Sequence, residues 1–327
     1  MHAAVVHSFD APPRYDTVDT PRPEGDHEVL VDVLAAGLHP RVRSGADGTH
    51  YTSTDALPLV PGIDGVGRTP QGELLYFVAP DTALGTMAEH AVVDRRRAIT
   101  LPDGTDPVAV AAAMNPAMSS WVALRRRVTL PPDAKVLILG ATGNSGQLAV
   151  QIARHLGAAH VVAAGRDPER LALLPGLGAD ETVSLLGDPK QIADDLGRTA
   201  GDADVVVDYL WGPATEQAMP AVLTARPDRA KALAWIQIGS MAGAEITLPS
   251  ALLRAANLNL MGSGQGSVTT AGILAELPAL AREITSGTLT VTPLPLPLSE
   301  VERAWTTPTA PGQRVVLTPG GRPASSQ

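Results

Sequence analysis

A doubly wound, parallel α/β sheet inserted into a mainly β domain is the architecture that three features of this sequence predict. The chain has 327 residues, 44% of them hydrophobic, which is longer than one ordinary domain and enough to fill two cores. Aromatic residues make up only 3%, while alanine, valine and leucine are abundant, a balance that suits helices on parallel strands better than an aromatic-rich β sandwich. The texture then changes at Asp106, where turn-broken β-branched pieces give way to alanine-rich helical text and alternating strand and helix signals.

Residues 3–6 and 28–35 alternate or run β-branched, with Pro21, Pro23, Gly25 and Asp26 between them. The same texture continues from Pro58 to Val93, punctuated by Pro61-Gly62, Gly65, Gly67 and Gly72. Both stretches predict antiparallel strands joined by loops. Val136-Leu137-Ile138-Leu139 is then a short apolar strand between Pro131-Pro132 and Gly140, and helical spacing begins at Gln147. A second strand is expected at residues 160–164, a third unit at 168–174, and another apolar segment from Val183. Residues 204–208 and 234–239 read as buried parallel strands, and 258–261 as a sixth. After Ser263 come one helix near 273–286, the proline-spaced 293–297 and a strand at 314–317, too little for a separate domain. Residues 1–112 and 264–327 are therefore expected to form one domain and 113–263 the insertion, with 319–327 as a frayed terminus.

Composition removes several classes of function. The net charge of −9 comes without a basic stripe, since Arg95-Arg96-Arg97 and Arg125-Arg126-Arg127 are only three-residue clusters, so a nucleic-acid partner is not expected. With no cysteine there can be no disulfide, thiol nucleophile or cysteine-ligated metal. Residues 1–10 lack a signal pattern, and the uncharged run 107–124 is broken by Asn115, Pro116, Ser119 and Ser120. A cytoplasmic protein without a membrane span is expected.

Ala141-Thr142-Gly143-Asn144-Ser145-Gly146 carries the strongest chemical signal. It follows a strand and opens a helix, the placement in which backbone N–H groups and the helix dipole face a pyrophosphate. Gly143 lets the backbone approach the phosphates, Gly146 lets helix and strand pack closely, and Ala141 stands where such fingerprints often have their first glycine. About twenty residues on, an NAD site places an acidic residue to bind the ribose hydroxyls. Gly165-Arg166 stands there instead, removing the repelling carboxylate and offering a guanidinium to a 2′-phosphate. NADPH is the expected cofactor. The competing readings are a tight turn that binds nothing and an Arg166 paired on the surface with Asp167 or Glu169.

The chain resembles the medium-chain dehydrogenase/reductase superfamily, in its zinc-free quinone oxidoreductase-like branch, over essentially its whole length. The carrying segments are Val29-Leu30-Val31-Asp32-Val33 with Ala35-Ala36-Gly37, Val60-Pro61-Gly62-Ile63-Asp64-Gly65-Val66-Gly67, and Met87-Ala88-Glu89-His90-Ala91-Val92-Val93. The glycine turn with Ala149-Val150-Gln151-Ile152-Ala153, Leu156-Gly157-Ala158 and Leu177-Gly178-Ala179-Asp180 follow in family order. The resemblance implies a Rossmann nucleotide domain inserted into a GroES-like catalytic domain, and a homodimer paired through the nucleotide domain's sheet edge. Zinc-dependent members place a Cys near His39, a His-Glu pair near Ile63-Asp64 and a Cys near Asn115. Only the weak carboxylate Asp64 remains of these, and the eight histidines are scattered, so no metal is expected.

Without metal or thiol, the remaining chemistry is hydride transfer to a small electrophilic acceptor such as a quinone or an enone, whose developing oxyanion a few hydrogen bonds can stabilise. Related alternatives are an enoyl-thioester or carbonyl reductase, or an NADPH-binding protein without enzymatic activity. Tyr51 follows Arg43-Ser44-Gly45 in a loop similar to the family's Arg-Ser-Gly-x-Tyr region, and is a candidate donor to the oxyanion. His39 is a candidate proton or hydrogen-bond donor, and Asn115 either orients a ligand or caps a helix beginning near Ser119. Gly239-Ser240 and Gly262-Ser263 fall at carboxyl ends of parallel strands, where they would line the nicotinamide half; Tyr209 either contacts the cofactor or packs the sheet.

Overall fold

The computed structural model describes residues 1–49, 53, 56–79, 82–310 and 312–320. The chain divides into two compact units, Met1–Asn115 with Leu277–Gln327, and Pro116–Glu276. Both changeovers fall inside helices.

The first unit begins with β1 (His2–Val5), β2 (Arg14–Thr17), β3 (Glu28–Gly37), α1 (Pro40–Ala46), β4 (Asp64–Arg68), β5 (Leu74–Val78), β6 (His90–Asp94) and β7 (Ala98–Thr100). Two of these elements leave no periodic signal in the sequence. All four residues of β2 are exposed, so no alternation marks it. The short α1 starts on Pro40 after His39, whose side chain makes no capping bond. Then α2 (Pro107–Val122) runs uninterrupted through Asn115 and Pro116, which overturns the expectation of a helix beginning near Ser119. Pro116 withdraws one amide from the helix, and the Ser119 hydroxyl donates to its carbonyl at 2.8 Å. A π turn over Ala123–Arg127 follows. Among the described residues the helical stretch Pro107–Arg127 has the length and hydropathy of a membrane span, but 67% of its apolar 18-residue window is buried within the protein, as in a core helix.

The second unit alternates strand and helix: β8 (Lys135–Leu139), α3 (Asn144–His155), β9 (His160–Gly165), α4 (Pro168–Leu171), β10 (Glu181–Ser184), α5 (Pro189–Ala200), β11 (Val205–Asp208), α6 (Gly212–Ala225), β12 (Leu233–Gln237), α7 (Ser250–Ala255) and β13 (Leu258–Gly262). Among the described residues these strands form one six-stranded sheet in the order β10-β9-β8-β11-β12-β13, with every pairing parallel. Leu137, Leu139, Val162, Val206 and Trp235 point to the face covered by Ile192 and Leu196 of α5 and by Met219 and Val222 of α6. Alternate residues of continuous apolar strands thus serve opposite faces, as a doubly covered sheet requires.

Helix α8 (Thr270–Thr285) returns the chain to the first unit, followed by β14 (Thr292–Pro297), α9 (Val301–Thr306) and β15 (Gln313–Thr318). Among the described residues these complete a seven-stranded sheet, β14-β15-β3-β4-β5-β7 with β6 also on β3. β14 contains Pro293, Pro295 and Pro297 yet pairs in parallel with β15, because it lies at the sheet edge and only its alternate residues need to donate inward.

Helix α3 begins at Asn144, ahead of the Gln147 expected from periodicity, so it is already under way at Gly146. A methyl group on Gly146 would stand 2.2 Å from the Gly140 carbonyl oxygen and 2.6 Å from Ala141 Cα, whereas one on Gly143 would meet only the Gly140 oxygen at 3.6 Å. Gly146→Ala is therefore expected to cost about 1–3 kcal/mol of unfolding free energy in a urea titration, and Gly143→Ala less than about 1 kcal/mol.

Candidate functional site

In the parallel sheet the chain winds from β8 outward through β9 to β10, then returns to β11 on the other side of β8 and winds through β12 to β13. The order reverses between β8 and β11, and in such sheets ligands bind outside the carboxyl ends at that reversal. The glycine turn follows β8, Gly165-Arg166 ends β9, Tyr209 follows β11, Gly239-Ser240 follows β12, and Gly262-Ser263 ends β13. The fold thus gathers these sequence-predicted residues along one sheet edge.

Within the turn, the amides of Gly140 and Ala141 both donate to the Ala164 carbonyl at 2.9 Å, which ties the loop to β9. Gly143 is the N-cap of α3 and brings no side chain to cap it, and the Gln147 amide donates to the Gly143 carbonyl at 2.8 Å. The amides of Ser145 and Gly146 precede that bond, so they have no acceptor four residues back within the helix. This is the donor set an anion needs at a helix N-terminus. Thr142, Asn144 and Ser145 are half-buried around it, and Ala141 is fully buried.

Gly165 is packed against Thr142, where a methyl group would stand 2.4 Å from Thr142 Cγ2. Its small size therefore has a packing cause as well as the electrostatic one read from the sequence. Arg166 is exposed and, among the described residues, forms no hydrogen bond or ion pair. Asp167 instead caps α4 by accepting from the Arg170 amide and pairs with Arg170 Nε at 3.2 Å. Arg170 also extends Nη1 to within 3.4 Å of the Thr142 carbonyl. Sequence reasoning missed this second cation beside the turn; its signal is a base three residues after a capping Asp.

Tyr209 is buried, and its hydroxyl lies 2.9 Å from that of Ser119. Burial pushes the Tyr209 phenol up to about 12, partly offset by its hydrogen bond with Ser119, so it stays protonated at neutral pH. Next to it, Trp211 adopts φ 54° and ψ −162°, a conformation open mainly to glycine that costs about 1–3 kcal/mol. Gly239 has no room for a side chain, since a methyl group would meet the Tyr209 carbonyl oxygen at 2.9 Å; at Gly262 the space is open.

The first unit holds a separate polar cluster. His39, 4% exposed at the end of β3, directs Nε2 to Asp64 Oδ1 at 3.0 Å, and the Tyr76 hydroxyl donates to Asp64 Oδ2 at 2.9 Å. Burial, then the Asp64 charge, holds the Tyr76 phenol far above its usual range, so it remains a donor. Arg314 extends Nη1 to the Leu38 carbonyl at 3.3 Å, and burial pulls its guanidinium down to about 10 against the opposing Asp64 charge. With Asp64 as acceptor, Nε2 of His39 carries the hydrogen and Nδ1 is left to serve a third group. Asp64 as the partner of His39, and Tyr76 as that of Asp64, were not legible in sequence.

Asn115 is half-buried inside α2, and Tyr51 lies outside the described residues. Among the described residues no three His, Asp or Glu side chains converge as a metal site would require. His39 and Asp64 bond to each other, and Ile63 is apolar, so the donor set at these positions does not fit zinc.

This is the architecture of a two-unit dinucleotide-type α/β protein. A family model described as zinc-binding dehydrogenase matches residues 146–280. A probable NADPH-dependent quinone reductase of Emericella nidulans is 31% identical over 98% of this chain and 100% of its own length. An NADPH-dependent alkenal/one oxidoreductase of the Arabidopsis thaliana chloroplast is 29% identical over 48% of this chain and 45% of its own. The quinone oxidoreductase of Thermus thermophilus, whose crystal structures include an NADPH complex, superposes with a TM-score of 0.79 at 27% identity, covering 97% of this chain and 100% of that one. The chain belongs to the medium-chain dehydrogenase/reductase superfamily, in its zinc-free quinone reductase-like branch.

Between pH ~10 and ~12 folded Tyr209 keeps a proton that the unfolded chain loses, so stability falls as pH rises through that window. Tyr209→Phe is expected to flatten this alkaline slope, measured as urea midpoints across that pH range.

Proposed function

We propose that this chain is an NADPH-dependent oxidoreductase that reduces a quinone or an α,β-unsaturated carbonyl compound without a metal. The observation that carries the reading is the exposed Arg166 guanidinium, unpaired among the described residues, at the end of the strand next to β8, whose following helix has a glycine N-cap. Gly143, Asn144, Ser145 and Gly146 would hold the pyrophosphate, with Ala141 and Thr142 shaping the turn. Gly165 and Arg166, supported by Arg170, would hold the 2′-phosphate. Tyr209, Gly239, Ser240, Gly262 and Ser263 would line the nicotinamide side. When bound, NADPH supplies a hydride.

The chain's own residues supply binding and the proton. Reduction of a conjugated carbonyl leaves negative charge on an oxygen, and a donor there stabilises it and completes the addition. In this proposal His39 does so through Nδ1 as an imidazolium, with Asp64 accepting from Nε2 and holding the ring, and water restores the proton that Nδ1 gives up. Tyr51 and Asn115 are the further candidates at the acceptor. The probable quinone reductase of Emericella nidulans and the alkenal/one oxidoreductase of Arabidopsis thaliana, as relatives of this chain, support the acceptor class. A cytoplasmic location and a homodimer belong to the same reading. β13 is one of the two edge strands of its sheet, and Leu260 is 38% exposed on it, which supports pairing through that edge.

Following NADPH absorbance with quinones, enones, enoyl thioesters and aldehydes is expected to give turnover with the first two. Tight NADPH binding with no turnover of any acceptor would overturn the enzyme assignment. Arg166→Ala is expected to raise the NADPH dissociation constant about 10- to 100-fold while leaving NADH within about twofold; equal effects on both would remove Arg166 from the 2′-phosphate site. His39→Asn is expected to lower kcat about 100-fold or more at unchanged NADPH affinity. A kcat within about threefold of the parent would take His39 out of the reaction.

A further inference from the structure

Trp211 combines a strained backbone with a side chain that, among the described residues, forms no hydrogen bond or ring contact. Among the described residues only Trp211 and Asp133 have positive φ without being glycine. The Trp211 conformation is imposed from several directions. Asp208 Oδ1 accepts from the amides of Leu210 at 2.8 Å and Trp211 at 3.0 Å, while Oδ2 accepts from Thr215 Oγ1 at 2.6 Å and Trp235 Nε1 at 3.0 Å. The Ala242 amide holds the Leu210 carbonyl at 2.7 Å, and Gly212 (φ 56°) lies so close to Gly243 that a methyl group would stand 2.7 Å from its Cα. A glycine at 211 would adopt this backbone freely.

The chain instead spends one of its four tryptophans there. The other three have evident structural work. Trp121 and Trp235 are buried with their indole N–H groups bonded to Glu276 and Asp208, and Trp305 packs beneath Arg43 at 5.2 Å. Trp211 is half-buried, and among the described residues it makes no side-chain hydrogen bond, ring contact or cation contact. Strain retained around a half-buried aromatic ring that forms no such contact, at the carboxyl end of a strand, points to a ligand.

Its position says which part of the ligand. Asp208, the last residue of β11, is level with Leu139, the last of β8, so Trp211 stands at the reversal point beside the glycine turn. A methyl group on Gly140 would touch Leu210 Cδ2 at 3.0 Å, which measures how closely the two loops approach. The pyrophosphate belongs at the α3 N-terminus and the 2′-phosphate end on the β9 side with Arg166 and Arg170. The β11 side is left for the nicotinamide riboside. Resting on the NADPH reading above, we infer that the Trp211 indole flanks the nicotinamide riboside half of the cofactor, and that the strained backbone exists to place it there.

The test compares wild type, Trp211→Gly and Trp211→Phe for binding of NADPH and of adenosine 2′,5′-bisphosphate, which lacks the nicotinamide half, together with melting temperature. Trp211→Gly is expected to melt at or above the wild-type temperature, to bind the bisphosphate within about twofold of wild type, and to bind NADPH about tenfold more weakly or worse. Trp211→Phe, which keeps a ring, is expected to bind NADPH within about threefold of wild type but to lose most of the indole fluorescence quenching that NADPH causes. Unchanged NADPH affinity in Trp211→Gly overturns the inference, as does a fall in melting temperature with both affinities weakened, or undiminished quenching in Trp211→Phe. A wild-type protein that binds neither ligand overturns the cofactor reading itself, and the inference falls with it.

Discussion

Helix α3 approaches the end of β8 so closely that only a hydrogen atom fits between Gly146 and the Gly140–Ala141 backbone. That contact sets the rest of the ligand edge. It fixes the axis of α3, and therefore where the leading amides of the helix point. It also draws the turn against β9, where the Ala164 carbonyl takes two of its amides. From there the edge is built outward by further close approaches, Gly165 against Thr142 on one side and Gly239 against the Tyr209 carbonyl on the other. Three glycines with almost no side-chain chemistry thus determine the spacing of groups that have a great deal.

The first unit handles charge in a different way. Asp64 is completely buried, and such a carboxylate persists only where donors replace the water it has lost. Tyr76 and His39 do so directly, and Arg314 contributes its field. The result is a polar centre whose members satisfy one another. It orients one imidazole and, among the described residues, leaves Nδ1 of that ring without a partner.

Much of this was legible in the sequence, and what was missed has physical causes. The strands β8, β9, β11 and β12 are continuous apolar runs because both faces are covered, and such runs are easily recognised. The glycine turn was recognisable because its context, strand before and helix after, survives in one dimension. By contrast, β2 buries nothing, and α1 has too few residues to show a period. Asn115-Pro116 looked like a boundary because proline usually is one, but burial of the surrounding helix outweighs the missing amide. Asp64 and Tyr76 acquire their meaning only when β4 and β5 pair, and Arg170 only when α4 turns back over the glycine loop. Contacts of that kind leave no trace in local composition.

The prolines of β14 have a consequence for how the molecule behaves in a crowded solution. A strand at the margin of a sheet normally presents a row of free amides to any passing chain. Here Pro293, Pro295 and Pro297 remove every second one, so the outward-facing side of β14 has almost nothing to donate, while Leu294 and Leu296 still pack inward. β13 carries no proline and keeps its outward donors. The β14 margin of the seven-stranded sheet is therefore chemically closed to strand addition, whereas β13, at one margin of the six-stranded sheet, is not.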